Sequence, residues 1–224
     1  MGSILWGEIH EYVMYTLGLG GGVMKRAGYL IALSLCLPAG LLPTGPAGAA
    51  DSVGYASSLR PSASQAPPGD AAHPIAWKDQ IYRNAALSTS DKGALEVTFN
   101  DQSKLSIGPN SELTVDQFVY SGSAGSDQQI LKYTKGAFRF ISGGVPKDKV
   151  KLETPTATIG IRGTIVRTLV TPDGTTTVGV DHGMVFITSA LNGSIVQLSA
   201  GEKVTIKPGG DIGTITLGKV EGCD

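Results

Sequence analysis

Asp181 and His182 stand side by side in "VDHGM", with Ser189 and Ser199 downstream. Serine hydrolysis needs these residue types: a nucleophile, a histidine base and a carboxylate that orients the ring. Their spacing argues against it. Neighbours on a strand point to opposite faces, so Asp181 cannot hold the adjacent ring. The stretch reads instead as a corner between two strands, with His182 exposed. The other histidines are His10 and His73, and no His, Cys, Asp and Glu spacing matches a zinc site. No phosphate loop, dinucleotide fingerprint or EF-hand loop occurs. Asp101, Asp173 and Asp211 fall in turns, where aspartate bonds its own backbone. No catalytic residue, cofactor or metal site is expected, and the chain reads as a non-enzyme. A glycan hydrolase would need paired carboxylates about 5–10 Å apart across a cleft, which the sequence does not place.

The cations are more informative. In "ETPTATIGIRGT" (153–164) one arginine stands among two glycines and several threonines. Thr154-Pro155 forces an extended backbone and ends the preceding strand. From there Ala157, Ile159 and Ile161 face a core, and Thr158, Gly160, Arg162 and Thr164 face away from it. Glycine within a strand marks a bulge or a close backbone approach. A guanidinium offers five donors in a rigid fork. Arg162 is therefore expected as a buried clamp, with Gly160 and Gly163 clearing its space; an exposed, anion-binding Arg162 is the alternative. Lys147, Lys149 and Lys151 alternate along one strand, as residues guarding a sheet edge do, with an anionic partner as the second reading.

The elements that position these residues read as short strands. "ALEVTF", "KLSIG", "ELTVDQFVY", "QQILKY", "AFRFIS", "KVKLET", "TIVRTLV", "TTTVGV", "MVFITS", "SIVQLS" and "KVTIK" are separated by turn chemistry at Asp173-Gly174, Asn192-Gly193 and Pro208-Gly209-Gly210. Past residue 75 no window holds a 3.6-residue apolar period over three turns, although "DQIYRNAALSTS" has room for one helical turn. "DGTTTVGVDHGMVFI" (173–187) and "NGSIVQLSAGEKVTI" (192–206) share one order of turn, strand, corner and strand, and "DQSKLSIGPNSELTV" (101–115) has the same rhythm. Such units cannot bury their own apolar faces and must stack. The fold class is all-β, either a sandwich or roll or a short β-solenoid.

Three segments, in order, carry a family resemblance. "TPTATIGIRGT" resembles the signature of the FecR domain through Thr154, Pro155, Ala157, Ile159, Gly160, Ile161, Arg162, Gly163 and Thr164. "LKYTKGAFRFISG" (131–143) resembles its lead-in through Gly136, Phe138, Arg139, Phe140, Ser142 and Gly143. "FNDQSKLSIGPNSELTVDQFVY" resembles an earlier segment, and the similarity spans about residues 80–190. The resemblance implies an extracytoplasmic all-β module. In its best-known members that module belongs to a transmembrane sensor, which relays a signal from an outer-membrane iron-siderophore transporter to a sigma factor. Those members carry a cytoplasmic anti-sigma segment. Here residues 1–23 stand ahead of the segment that begins at Met24 and they hold no Trp-rich helical segment, so sigma-factor control is not carried over.

The 224 residues comprise about one domain plus extras. Lys25 and Arg26 precede the apolar run "AGYLIALSLCLPAGLL" (27–42), and Ala47 and Ala49 supply a small-x-small cleavage pattern. This reads as a secretory signal peptide, 16 residues of apolar run being short of the roughly 20 a spanning helix needs. The expected organisation is a non-native leader at 1–23 with the true start at Met24, a signal peptide at 24–50, a disordered Ser/Ala/Pro/Gly-rich linker at 51–74 and a FecR-like β domain at 75–220. Cleavage leaves Cys223 without Cys36, so no internal disulfide forms. A formal net charge of -1 gives no basic excess for nucleic acid. The expectation is a periplasmic or secreted, non-catalytic binding or signal-relay module for a protein or envelope-glycan partner, engaged by strand addition at a sheet edge. The membrane enters only if segment 27–42 stays uncleaved, which would make the chain an anchored sensor.

Overall fold

The computed structural model describes residues 51–122, 125–220 and 222. In chain order the strands are β1 (Ser52–Arg60), β2 (Ala63–Ala66), β3 (His73–Pro74), β4 (Gln80–Tyr82), β5 (Ala86–Thr89), β6 (Ala94–Phe99), β7 (Lys104–Ile107), β8 (Glu112–Val119), β9 (Gln128–Ile141), β10 (Val150–Glu153), β11 (Ala157–Val170), β12 (Thr176–Ser189), β13 (Ile195–Ser199), β14 (Glu202–Ile206) and β15 (Thr216–Leu217). Among the described residues the only helical element is a 3-10 turn at Lys147–Lys149.

Three strands organise the rest. β9, β11 and β12 each run for 14 residues, and the two halves of each have different neighbours. The first half of β9 pairs with β8 and, in parallel, with β10; its second half pairs with β7 and β11. The first half of β11 pairs with β10 and the second half of β12, and its second half pairs with the first half of β12. β13 and β14, joined by a turn, lie along the two halves of β12 in the same way. Two layers result. One runs β3–β2–β5–β8–β9–β10–β11–β12–β13, and the other runs β4–β1–β6–β7–β9–β11–β12–β14–β15. Phe99 of β6 stacks on Phe118 of β8 at 5.4 Å between ring centroids, so the layers close face to face over one core. The architecture is a roll. Stacked rungs of a solenoid are ruled out because β9–β10 is the one parallel pair among the fifteen described strands.

Each long strand changes layer at a glycine with positive φ: Gly136 at 111°, Gly163 at 57° and Gly183 at 81°. Side-chain parity changes at each of them. In β11, Ala157, Ile159 and Ile161 are buried before the bend, and Thr164, Val166, Thr168 and Val170 after it. In β12, Thr176, Val178 and Val180 give way to Val185, Ile187 and Ser189. An extra residue in a bulge shifts the two-residue period by one, and glycine takes the left-handed conformation without steric cost. So one alternating sequence keeps apolar side chains inward in both layers.

Residues 51–74 are not a disordered linker. They form β1, inserted between β6 and β4, and β2, paired with β3 and β5. Their small residues cannot make a core alone, which is what composition registers. Against a preformed sheet, however, Val53, Ala56 and Ala63 are buried at 2%, 0% and 3% exposure, and Gly54 lets β1 approach the Thr98–Phe99 backbone. Among the described residues the β structure therefore begins at Ser52. "DQIYRNAALSTS" holds β4, a turn and β5 in place of a helical turn. The expected signal peptide and leader, at 1–50, lie outside the described residues, as does Cys223.

Candidate functional site

The signature segment is the first half of β11 and its entry turn. There Thr156 Oγ1 donates to Thr176 Oγ1 at 2.7 Å, Thr176 Oγ1 donates to Thr154 Oγ1 at 3.0 Å, and Thr154 Oγ1 donates to the Ala157 carbonyl at 3.1 Å. This hydroxyl relay ties the Thr-Pro turn to the start of β12, and the Ala157 N–H donates back to Thr154 Oγ1. Thr164 Oγ1 donates to the His182 carbonyl at 2.5 Å, and the Thr164 N–H donates to Ser142 Oγ at 3.2 Å. The bends of β11 and β12 are thereby tied to each other and to the end of β9. Gly143 and Gly144 follow, against Asp101. The buried Asp101 carboxylate accepts from the Ser103 N–H and hydroxyl and from the Val145 N–H, at 3.0, 2.5 and 3.1 Å. Thr154, Thr164 and Ser142 of the motif segments thus link β9, β11 and β12 through hydrogen bonds.

Arg162 is the exception, and the expectation of a buried clamp is overturned. Its side chain is exposed and among the described residues no hydrogen bond or ion pair is seen for it; its guanidinium carbon lies 5.9 Å from the Phe186 ring centroid. It sits just before the bulge, on the face opposite Ile159 and Ile161, so the space near Gly160 and Gly163 is not filled by it. The lysine row is corrected too. Lys147 and Lys149 belong to the 3-10 turn, Lys147 donating to the Gly143 carbonyl, and Lys151 lies on β10, an interior strand between β9 and β11. The residues of the supposed triad do not meet. Asp181 pairs with Arg167, His182 is exposed, and Ser189 is buried with its hydroxyl on the Gly210 carbonyl at 3.0 Å.

The buried cation is Arg167, in the second half of β11, with 9% of its side chain exposed. Its Nε donates to Asp181 Oδ2 at 2.8 Å. Arg139 of β9, directly opposite in the β-ladder, brings its own Nε to 3.9 Å from that oxygen. Asp181 therefore lies within ion-pair reach of both guanidinium groups, and among the described residues the buried Arg139 Nε has no hydrogen-bond partner. The register places Ser58, Glu96, Ser106, Arg139, Arg167 and Gly179 in one cross-strand row. The core residues alternate with this row, so the row lies on the outer face of the layer. A cleft of about 670 Å³ opens over it, lined by Arg60, Lys92, Glu96, Ser106, Arg139 and Arg167 among others. Val220 packs against Gly179, whose lack of a side chain makes room for it, and Gly222 lines the cleft wall. That covering explains how an outward-facing arginine becomes buried. Arg139 belongs to a motif visible in the sequence. Arg167 was missed, although a lone cation inside the apolar run "TIVRTLV" is the signal that could have found it.

The sheet edges form the other exposed feature. β3, β4 and β15 have only two or three residues each, short enough to offer little to a foreign strand. β13, "IVQLS", has five residues, no charge and no proline, and among the described residues pairs on one side only, with β12. Ile195 at its start is 69% exposed and Leu191 of the preceding Asn192-Gly193 turn is 70% exposed. At the opposite turn Asp173, fully exposed, accepts from the Thr171 and Thr175 hydroxyls, at Oδ1 and Oδ2, and from the Thr175 N–H, and these bonds hold its carboxyl below the ordinary carboxylate value.

No helix among the described residues is long and apolar enough to cross a membrane. No curated protein matches the chain. Two crystal structures of a provisionally assigned anti-sigma factor from Parabacteroides distasonis ATCC 8503, at 2.50 and 1.65 Å resolution, resemble it at TM-score 0.46 and 18% identity, over 59% of this chain and 59% of that chain. The chain spans less than two thirds of those proteins. The family model described as FecR protein matches residues 85–186, which take in β5 to β11, most of β12 and all three motif segments. Over residues 85–186 the chain resembles the FecR family.

Proposed function

We propose that this protein is a non-catalytic signalling module of the cell envelope, which binds an extended segment of a protein partner along β13. The family match supports a signalling-related role. The observation that carries the mode of binding is the contrast between edges: three are too short to template a strand, and β13 alone is long, uncharged and apolar at its exposed end. Strand addition draws affinity from backbone hydrogen bonds and specificity from alternate side chains; Ile195 and Leu191 provide apolar contacts beside the free edge. The Asp181–Arg167 pairing, which takes the carboxylate away from His182, is consistent with a role in recognition.

A photo-reactive residue at position 195, with a control at exposed Thr134 in the same layer, tests this in the producing cell. The expected adduct is a protein segment captured at 195 and absent from 134, and Ile195→Lys abolishes its binding. Adducts with glycan alone, or equal labelling at both positions, would overturn the reading.

A further inference from the structure

We propose, resting on the reading of β13 as a strand-addition edge, that the partner segment docks antiparallel to β13 and in line with β15, with a lysine or arginine near its amino end set against Glu202. The direction comes from β15. β13 and β14 both run antiparallel to β12, so they share one direction. β15 runs antiparallel to β14, on the side away from β12. Thr216 faces Lys203, Leu217 faces Glu202, and the Gly218 N–H donates to the Gly201 carbonyl at 3.0 Å. A further stretch on that course would lie along β13, from Ser199 towards Ile195. The chain leaves that course instead: Gly218 takes a φ of 133°, and Val220 packs against Gly179. Among the described residues the lane beside β13 stays open, and Leu217, 82% exposed, stands at its entrance. A segment in that lane repeats the antiparallel pairing of β12 with β13 and of β14 with β15.

The register comes from hydrogen bonds. The Ser189 N–H donates to the Ser194 carbonyl at 2.8 Å. Bonded pairs alternate along an antiparallel ladder, so Val196 and Leu198 turn their backbone groups to β12. Ile195, Gln197 and Ser199 turn theirs to the open lane. The Ser199 N–H is already taken, donating to Glu202 Oε2 at 2.7 Å. That carboxylate closes one end of the lane and leaves Ile195 and Gln197 to pair with an incoming strand. β13 itself carries no charge, so the lane is apolar beside Ile195 and Leu191 and acidic beside Glu202. An antiparallel segment meets Glu202 with its amino end, where a cation is favoured and an acid repelled. It meets Ile195 with a residue nearer its carboxyl end, where an apolar side chain pairs best.

The test titrates the full chain with two synthetic peptides of alternating valine and threonine, blocked at both termini. One carries lysine at its amino end and the other carries it at its carboxyl end. Amide hydrogen exchange is read at Ile195 and Gln197. Both amides should be protected, and the peptide with amino-terminal lysine should bind about two- to fivefold more tightly, the scale of a partly exposed ion pair. Glu202→Gln keeps an acceptor for the Ser199 N–H and removes the charge, so it should erase the preference. High salt, which screens the pair, should reduce it in the parent chain. Protection with equal affinities, tighter binding of the other peptide, or a preference that survives Glu202→Gln would overturn this inference and leave strand addition standing. No protection at Ile195 and Gln197 by either peptide would overturn both readings.

Discussion

Gly183 of β12 lies so close to Gly163 of β11 that a side chain at 183 would run into the carbonyl oxygen of 163. Both residues have positive φ, and both mark the bend where their strand passes between layers. Gly183→Ala therefore meets a steric block as well as left-handed strain. It should lower unfolding free energy by about 2–4 kcal/mol. Gly193→Ala shares the positive φ, at 69°, but has open space around it, so it should cost only about 1 kcal/mol. Urea denaturation of both variants checks this; equal losses would show that backbone strain, and not the contact, governs the bend.

Arg162 and Arg167 are five positions apart and should respond oppositely. Arg162→Ala removes an exposed side chain, and its stability should stay within about 0.5 kcal/mol of the parent. Asp181→Ala leaves Arg167 buried without its 2.8 Å partner, and should cost about 2–3 kcal/mol. A double-mutant cycle on Arg167 and Asp181 should return a favourable coupling, and a coupling near zero would refute the pairing.

Asp101 holds the β6–β7 turn and the Gly143-Gly144-Val145 segment through one carboxylate. Asp101→Ala strands the Ser103 and Val145 donors and should cost about 2–4 kcal/mol. Asp101→Asn keeps the acceptor oxygen on one side and should cost less. Thermal melts that ranked Asn below Ala would contradict this account.

The turn at Asp173 provides a pH test. Its carboxyl is depressed by the Thr171 hydroxyl first and by Thr175 next. A folded-state pKa below the unfolded value gives a contribution that is present above the unfolded pKa and lost as pH falls through the folded one. The Thr175 amide, bonded to Asp173 Oδ1 at 3.1 Å, should therefore titrate with a midpoint below that of an ordinary aspartate. Thr171→Val should move the midpoint back up. An NMR midpoint at or above the ordinary aspartate value would reject the arrangement.

Much of the fold was legible along the chain. Period-two alternation marks strands, and Asp173-Gly174, Asn192-Gly193 and Pro208-Gly209-Gly210 mark turns, because both depend on neighbours in sequence. Gly174, Gly193 and Gly210 indeed take positive φ, at 87°, 69° and 84°. The repeated turn-strand-corner units are present as well: β7–β8 lies along β9, and β13–β14 along β12. The first strands were hidden. Their small residues become core only where other strands supply the apolar surface.

The sequence by itself determined an all-β chain, the family motif and two of the three bends, near Gly163 and in "VDHGM", since glycine conformation and side-chain alternation are local properties. Tertiary structure decided which arginine is buried. A one-residue bulge at Gly163 reverses side-chain parity, and a C-terminal segment then packs over the outer face. Arg162 is left in solvent, while Arg167 and Arg139 share Asp181 under a cleft. Whether a charge is covered depends on strands distant in sequence meeting across the sheet, and no local pattern records that.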